Sequence, residues 1–244
     1  MPHSRWSRAD IHIHTTYSDG ADDVPSILEY AARHTEIRIL AITDHDCLEG
    51  ALEAHRLAPA YGLQVIIGQE VSTNRGHVLG LYLQEGIPCG LSIPETVALI
   101  HAQGGLAVLA HPFDRMTNSP MRHRPRPRPE EWGDFDVDAI EACNGCQMDP
   151  QAGGRAVELG RRLNLALTGG SDAHHKEAIG TAYTLFWGHT ADDLRRALES
   201  GSCRYGGEGW TRRDYLSWLA RSWWPRARRT MQRAALSLAA LHIG

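Results

Sequence analysis

Residues 9–20 read ADIHIHTTYSDG, an apolar run that carries two histidines one residue apart and then an aspartate followed by glycine. Side chains alternate across a strand, so His12 and His14 share one face, and H-x-H on one face is a two-nitrogen grip for a metal ion. Alone the pair is weak evidence, because two strand histidines serve as readily as a hydrogen-bonded core or surface pair. The rest of the chain gives it weight.

Short apolar runs of the same kind recur at 37–43 (IRILAIT), 63–70 (LQVIIGQE), 77–83 (HVLGLYL), 106–111 (LAVLAH), 137–143 (VDAIEAC) and 164–170 (NLALTGG), each read as a buried strand. Helical stretches fall between several of them, at 22–35, 49–62, 93–104 and 152–164, often closing on a glycine. The alternation predicts an α/β fold with a largely parallel sheet, and about seven strands suit a barrel.

Polar residues sit at the C-terminal ends of these strands in succession. His12 and His14 end the first, Asp44 and His45 the second, Glu70 the third and His111 the fifth, while Asp172 and His174 follow the seventh. In barrels and open α/β sheets that rim is where sites are built. Histidine mixed with carboxylate suits Mn²⁺, Fe²⁺ or Zn²⁺ better than an all-oxygen Mg²⁺ or Ca²⁺ cage, and a carboxylate such as Glu70 can bridge two ions.

With 244 residues, 42% of them hydrophobic and 22% charged, the chain has the composition of a soluble globular protein. Five cysteines at 47, 89, 143, 146 and 203 are too few and too scattered for a disulfide framework, and with no apolar signal core near residue 1 the expected location is the cytoplasm. Cys143 and Cys146 form C-x-x-C without the second pair that a structural zinc site needs. No Gly-rich phosphate loop is present. The formal charge of −4 hides an asymmetry: residues 209–244 hold seven arginines against the single acid Asp214, so the first 208 residues carry −10. An acidic body argues against a general nucleic-acid binder.

The ordered set HIHTTYSDG, AITDHD, GQEVS, AHP and GSDAH resembles the successive motifs of the PHP (polymerase and histidinol phosphatase) family of metal-dependent phosphoesterases, over about residues 9–205. The resemblance implies a distorted (β/α)7 barrel carrying two or three divalent metal ions (Mn²⁺, Fe²⁺ or Zn²⁺). It implies that His12 and His14 hold the first with Glu70 and Asp172, that Glu70 and His111 share a second, and that Asp19, His45 and His174 hold a third. His77 fits a motif position that is a ligand in some relatives, although it heads its strand rather than ending it. Asn144 is a candidate ligand or a neighbour of the ligands. His175, or a metal-bound water held by Asp44, is the candidate acid for the leaving group, with Lys176 beside it at the mouth. Arg115 and the arginines of 122–128 are the candidate phosphate clamps, although the arginine is offset from its usual place behind AHP.

Residues 114–135, where proline alternates with arginine, read as an extended exposed loop, either a plain insertion or a lid over an anionic substrate. Residues 209–244 hold four of the seven tryptophans and read as a basic helical extension of the domain formed by 1–208, with a break at Pro225. Its apolar stripes pack on the barrel, on a second copy in a homo-oligomer, or against a membrane surface. The expected activity is hydrolysis of a small phosphomonoester, a nucleotide or sugar phosphate, with no stable nucleic-acid partner. The rival readings are a phosphodiesterase or exonuclease on oligonucleotides, a non-catalytic barrel kept for binding, and a carbon–nitrogen hydrolase.

Overall fold

A computed structural model describes residues 6–115, 117–218 and 220. Nine strands, β1 (Trp6–Ile13), β2 (Ile39–Ile42), β3 (Gln64–Thr73), β4 (Gly76–Leu81), β5 (Leu106–Leu109), β6 (Ala139–Asn144), β7 (Ala166–Gly170), β8 (Ala182–Trp187) and β9 (Arg204–Gly207), form one sheet in the order β7-β6-β5-β4-β3-β2-β1-β8-β9. The trio β1, β2 and β3 is parallel, as is the trio β5, β6 and β7, and β4 runs antiparallel between them. The sheet curls until its ends approach: Gly169 N donates to Thr184 Oγ1 at 3.0 Å and Thr184 Oγ1 to Gly169 O at 2.8 Å, linking β7 to β8. The result is a nearly closed, distorted barrel. The seven expected strands are present, and β8 and β9 are additional.

Helices α1 (Val24–His34), α2 (Glu49–Leu57), α3 (Ile93–Ala102), α4 (Ala152–Leu163) and α5 (Ala191–Glu199) cover the outside. Their starts are written in the sequence. Asp23 accepts from Ser26 N ahead of α1, while Ser92 with Glu95 and Thr190 with Asp193 form reciprocal caps on α3 and α5, each satisfying donors that the first turn leaves without partners. The helix α4 ends on Asn164 in the left-handed region, φ 56°, a task asparagine accepts more readily than most residues.

Two local irregularities decide where the polar residues go. Ala9 pairs with Ile39 and Asp10 with Leu40, but Ile13 pairs with Ile42, so β1 carries one extra residue against β2. The bulge changes the phase of alternation. Ala9 and Ile11 pack with Ile39, Ala41, Ile66 and Val108, whereas Ile13 packs with Ile27, Leu28 and Ala51 of the helical layer, and His12 and His14 take the inward positions at the rim. The second is the β3–β4 hairpin, which pairs Glu70 with Leu79 and Ser72 with His77. Because β4 runs back, its first residues lie at the rim where β3 ends, so His77 reaches the same place as Glu70.

Candidate metal centre

Glu70 stands at the middle of the rim, 1% exposed. Its Oε2 lies 3.3 Å from His12 Nε2, 3.3 Å from His14 Nε2 and 3.2 Å from His45 Nδ1, and its Oε1 lies 2.7 Å from His77 Nδ1 and 3.0 Å from His111 Nε2. The two oxygens thus face two different sets of imidazoles. Asp172 Oδ1 sits 3.5 Å from His12 Nε2 and 3.2 Å from His14 Nε2. On the far side Asp19 Oδ1 lies 3.3 Å from His174 Nε2 and 3.8 Å from both His45 Nε2 and His14 Nδ1. All nine residues named as ligand candidates converge, in overlapping groups whose donor atoms lie within 4.8 Å of one another.

His12 Nε2 and both ring nitrogens of His14 are buried without a hydrogen-bond partner. Buried polar atoms are ordinarily satisfied, and imidazole nitrogens and carboxylate oxygens converging from several sides form the kind of site that divalent cations fill. The donor set fits such ions.

The electrostatics agree. Burial alone would raise the carboxyl of Glu70, but His77, His45 and His12, with a hydrogen bond from His111, hold it well below its usual range. Asp172 is held low by His12, His14 and His174 against the same burial. Burial would strip the proton from His14, yet Asp172, Glu70 and Asp19 carry it up to about 10, and His12 and His111 are raised too. Burial, with His14 and His77 close by, pushes His45 down to about 4 in spite of Glu70. Protons on the raised imidazoles do the neutralising that a cation does, and a cation that binds displaces them.

Around this cluster lies a set of residues that fix it. Glu141, fully buried on β6, accepts from His12 Nδ1 at 2.9 Å, from His111 N at 2.9 Å and from Asn144 Nδ2 at 2.9 Å. The Nδ1 contact leaves His12 Nε2 turned toward Glu70, the arrangement by which a carboxylate orients a metal-binding histidine. Asn144 Nδ2 also reaches Asp172 Oδ2 at 3.1 Å. Sequence reading overlooked Glu141, although its signal was present: a carboxylate inside DAIEAC, where a buried strand calls for an apolar residue. The loop after β5 closes the other flank. Asn118 Nδ2 donates to His77 Nε2 at 2.9 Å, Thr117 Oγ1 lies 3.1 Å from His111 Nδ1, and His123 Nε2 donates to Asn118 Oδ1 at 2.7 Å.

The residues expected to act on the substrate, Asp44, His175 and Arg115, are not among those that converge in the cluster. The Asp44 carboxylate accepts from the β1 loop, from Thr15 N at 2.7 Å, Thr15 Oγ1 at 2.7 Å and Ser18 Oγ at 2.5 Å, contacts that shape the loop that carries Asp19. His175 is buried and turned away from the cluster, with Nε2 3.6 Å from Asp214 and its ring 5.1 Å from that of Trp210. Consecutive residues of an extended segment point to opposite sides, so His174 entering the cluster sends His175 out. Lys176 Nζ lies 4.0 Å from Asp22. Arg115 is exposed on the loop, close enough to Arg126 to add to Arg124 and burial in lowering that guanidinium. All five cysteines are free, and no helix among the described residues is long and apolar enough to cross a membrane.

The PHP domain profile matches residues 10–130 and the PHP-associated profile residues 150–203. An uncharacterised protein of Methanocaldococcus jannaschii is 35% identical over 153 residues, which are 58% of this chain and 84% of that protein. The chain belongs to the PHP family. Among other PHP relatives, a phosphoribosyl 1,2-cyclic phosphate 1,2-diphosphodiesterase of Eggerthella lenta is 44% identical over 85 residues, 32% of each chain. A 3',5'-nucleoside bisphosphate phosphatase of Chromobacterium violaceum is 36% identical over 83 residues, 32% of this chain and 29% of that one. In fold the chain resembles a two-domain protein of Bacteroides vulgatus containing a PHP-like metal-dependent phosphoesterase, with TM-score 0.70 and 17% identity over 83% of this chain and 65% of that one. With the PHP motifs gathered into one cluster of metal-binding type, the chain is a phosphoester hydrolase of the metal-dependent kind.

Proposed function

We propose that the protein hydrolyses a small phosphomonoester, a nucleotide or sugar phosphate, in the cytoplasm, using two or three ions drawn from Mn²⁺, Fe²⁺ and Zn²⁺. The observation that carries this reading is Glu70, whose two oxygens face separate imidazole sets at 2.7–3.3 Å. His12, His14, Glu70 and Asp172 would hold one ion, Glu70 with His77 and His111 a second, and Asp19, His45 and His174 a third. Bound ions of this kind activate water near neutral pH and neutralise charge on phosphoryl oxygens. The chain contributes orientation: Glu141 turns His12, Asn144 steadies Asp172, and Thr117 and Asn118 fix His111 and His77.

A small substrate is favoured because the 114–135 loop comes down onto the imidazoles at Thr117 and Asn118, narrowing the approach. Arg115, with Arg124 and Arg126, supplies positive charge on that loop for the phosphoryl oxygens. The −10 carried by residues 1–208 disfavours a polynucleotide. Residues 1–208 are the catalytic unit and 209–244 an extension of it. A phosphodiester substrate is the second reading, favoured by the likeness to the cyclic phosphate diphosphodiesterase.

The test is release of inorganic phosphate from a panel of nucleotide and sugar monophosphates by the Mn²⁺-loaded protein, beside bis(p-nitrophenyl) phosphate as a diester. Turnover of monoesters that vanishes in Asp172→Asn supports the first reading. Cleavage of the diester alone replaces it with the second.

A further inference from the structure

The loop Ser171–His175, which follows β7, brings Asp172 and His174 into the cluster, and Asp172 does so at φ 51°, a conformation that a non-glycine residue keeps only when its surroundings impose it. Part of that constraint comes from β1 and the loop after it: Ser171 N donates to Asp10 Oδ1 at 2.9 Å, Ala173 N to His12 O at 3.2 Å, His14 N to Ala173 O at 2.9 Å, and Ala21 N to His174 O at 2.8 Å. The rest comes from residues beyond the stretch that the family profiles match. Trp210, 8% exposed, donates its Nε1–H to Ser171 O at 2.9 Å and its backbone N–H to Gly145 O at 2.7 Å. Tyr215 donates its hydroxyl to Cys146 O at 2.8 Å.

The same segment walls in His174. The imidazole lies 4.4 Å from that of His14 on the cluster side, and on the other side meets the edges of Trp210 at 6.0 Å and Trp218 at 5.9 Å. Trp210 in turn packs on Tyr215 at 5.2 Å and Trp218 at 6.2 Å. Apart from this wall the ring is held by its polar contacts, Nδ1 to Asp172 O at 2.9 Å and Nε2 3.3 Å from Asp19 Oδ1. Glu70, His77 and His111 stand on the β3–β5 flank.

We propose that the chain from Trp210 to Trp218 is a clamp built onto the barrel, and that the metal position formed by Asp19, His45 and His174 depends on it more strongly than the positions around Glu70, which it reaches only through the backbone beside Asp172. Trp210 is a positioning residue: it grips the Ser171 carbonyl and sets the ring of His174. The inference rests on the assignment of His174 as a ligand, so its test must separate the two.

The measurement is calorimetric titration of the metal-free full-length protein with Mn²⁺, comparing wild type with Trp210→Ala, Trp210→Phe, Tyr215→Phe and His174→Ala. Trp210→Ala is expected to weaken the last Mn²⁺ to bind by about 10- to 100-fold, the usual effect of losing a group that orients a metal ligand, with the tighter equivalents weakened less and the circular dichroism spectrum unchanged. Trp210→Phe keeps a ring but drops the N–H donor and is expected to fall between wild type and Trp210→Ala. Should Trp210→Ala fail to fold, Trp210→Phe and Tyr215→Phe carry the same expectation with a smaller shift. His174→Ala is expected to lose that last equivalent outright. If His174→Ala loses it and the Trp210 and Tyr215 variants bind as wild type does, the clamp is refuted and the ligand assignment stands. If His174→Ala keeps the full complement, both fall, and simultaneous loss of all equivalents in a folded Trp210 variant also overturns the proposal.

Discussion

Glu141→Gln is the substitution that most directly probes how the cluster is held. The carboxylate accepts three hydrogen bonds with no exposure to solvent, from His12 and from the pair His111 N–H and Asn144 NH₂. A carboxamide has the same shape but one oxygen. With that oxygen toward His12, its NH₂ faces two donors on the other side. With the oxygen toward His111 and Asn144, the NH₂ faces His12 Nδ1, and His12 must then carry its proton on Nε2, the nitrogen aimed at Glu70 and Asp172. The first arrangement leaves two buried donors without acceptors, at about 1–3 kcal/mol each, hence about 2–6 kcal/mol of stability. The second keeps more stability but removes His12 as a donor, and loss of an orienting carboxylate typically weakens metal binding by about 10- to 100-fold. Urea unfolding of the metal-free protein reads the first effect and Mn²⁺ calorimetry the second. A Gln variant that matches wild type in both would refute the reasoning, since the two orientations exhaust the ways the amide can sit.

Other expectations follow from the same geometry. Metal affinity should rise with pH, because His14 at about 10 and the raised His12 and His111 hold protons at neutrality that the metal must displace; each proton released adds a tenfold gain per pH unit, about 1.4 kcal/mol, and calorimetry at pH 6 and 8 would show no change if the imidazoles were already neutral. Gly170→Ala would place a Cβ 2.6 Å from His12 Cβ and 2.8 Å from Glu141 Oε1, so Mn²⁺ titration should show loss of the His12 position. Asp44→Ala strands three donors of the Thr15–Ser18 loop and should cost about 2–5 kcal/mol in urea unfolding. His175→Ala should leave turnover far above the roughly 10²- to 10⁴-fold deficit that loss of a general acid produces, and a deficit of that size in steady-state kinetics would restore His175 to the chemistry.

The strand ends and the polar residues on them were legible because a barrel rim turns a linear spacing into a ring: H-x-H, Glu70, His111 and Asp172 are each close in sequence to the end of an apolar run. His77 was harder, since it heads a strand, and only the antiparallel hairpin of β3 and β4 puts a strand's first residue at the rim where its neighbour ends. The bulge in β1 leaves no mark in ADIHIH, yet it sets the phase that turns His12 and His14 inward. Asp44 also occupies a strand end, and there its carboxylate accepts from Thr15 and Ser18. His175 follows a residue of the cluster in sequence and for that reason faces the other way. The strands β8 and β9 carry no residue of the cluster, so no candidate ligand at a strand end marks them in the sequence. The start of the 209–244 extension packs against the barrel through Trp210, Tyr215 and Trp218. Its remainder from 221 onward, including the break expected at Pro225, lies outside the described residues.

The most direct test of the account is Mn²⁺-dependent hydrolysis of p-nitrophenyl phosphate by wild type against Glu70→Gln, with bound Mn²⁺ counted in both. Glu70 offers one oxygen to His12, His14 and His45 and the other to His77 and His111, so the account predicts fewer bound ions and a loss of turnover of about a hundredfold or more. A Glu70→Gln protein that holds its full complement of Mn²⁺ and turns over at the wild-type rate would contradict it.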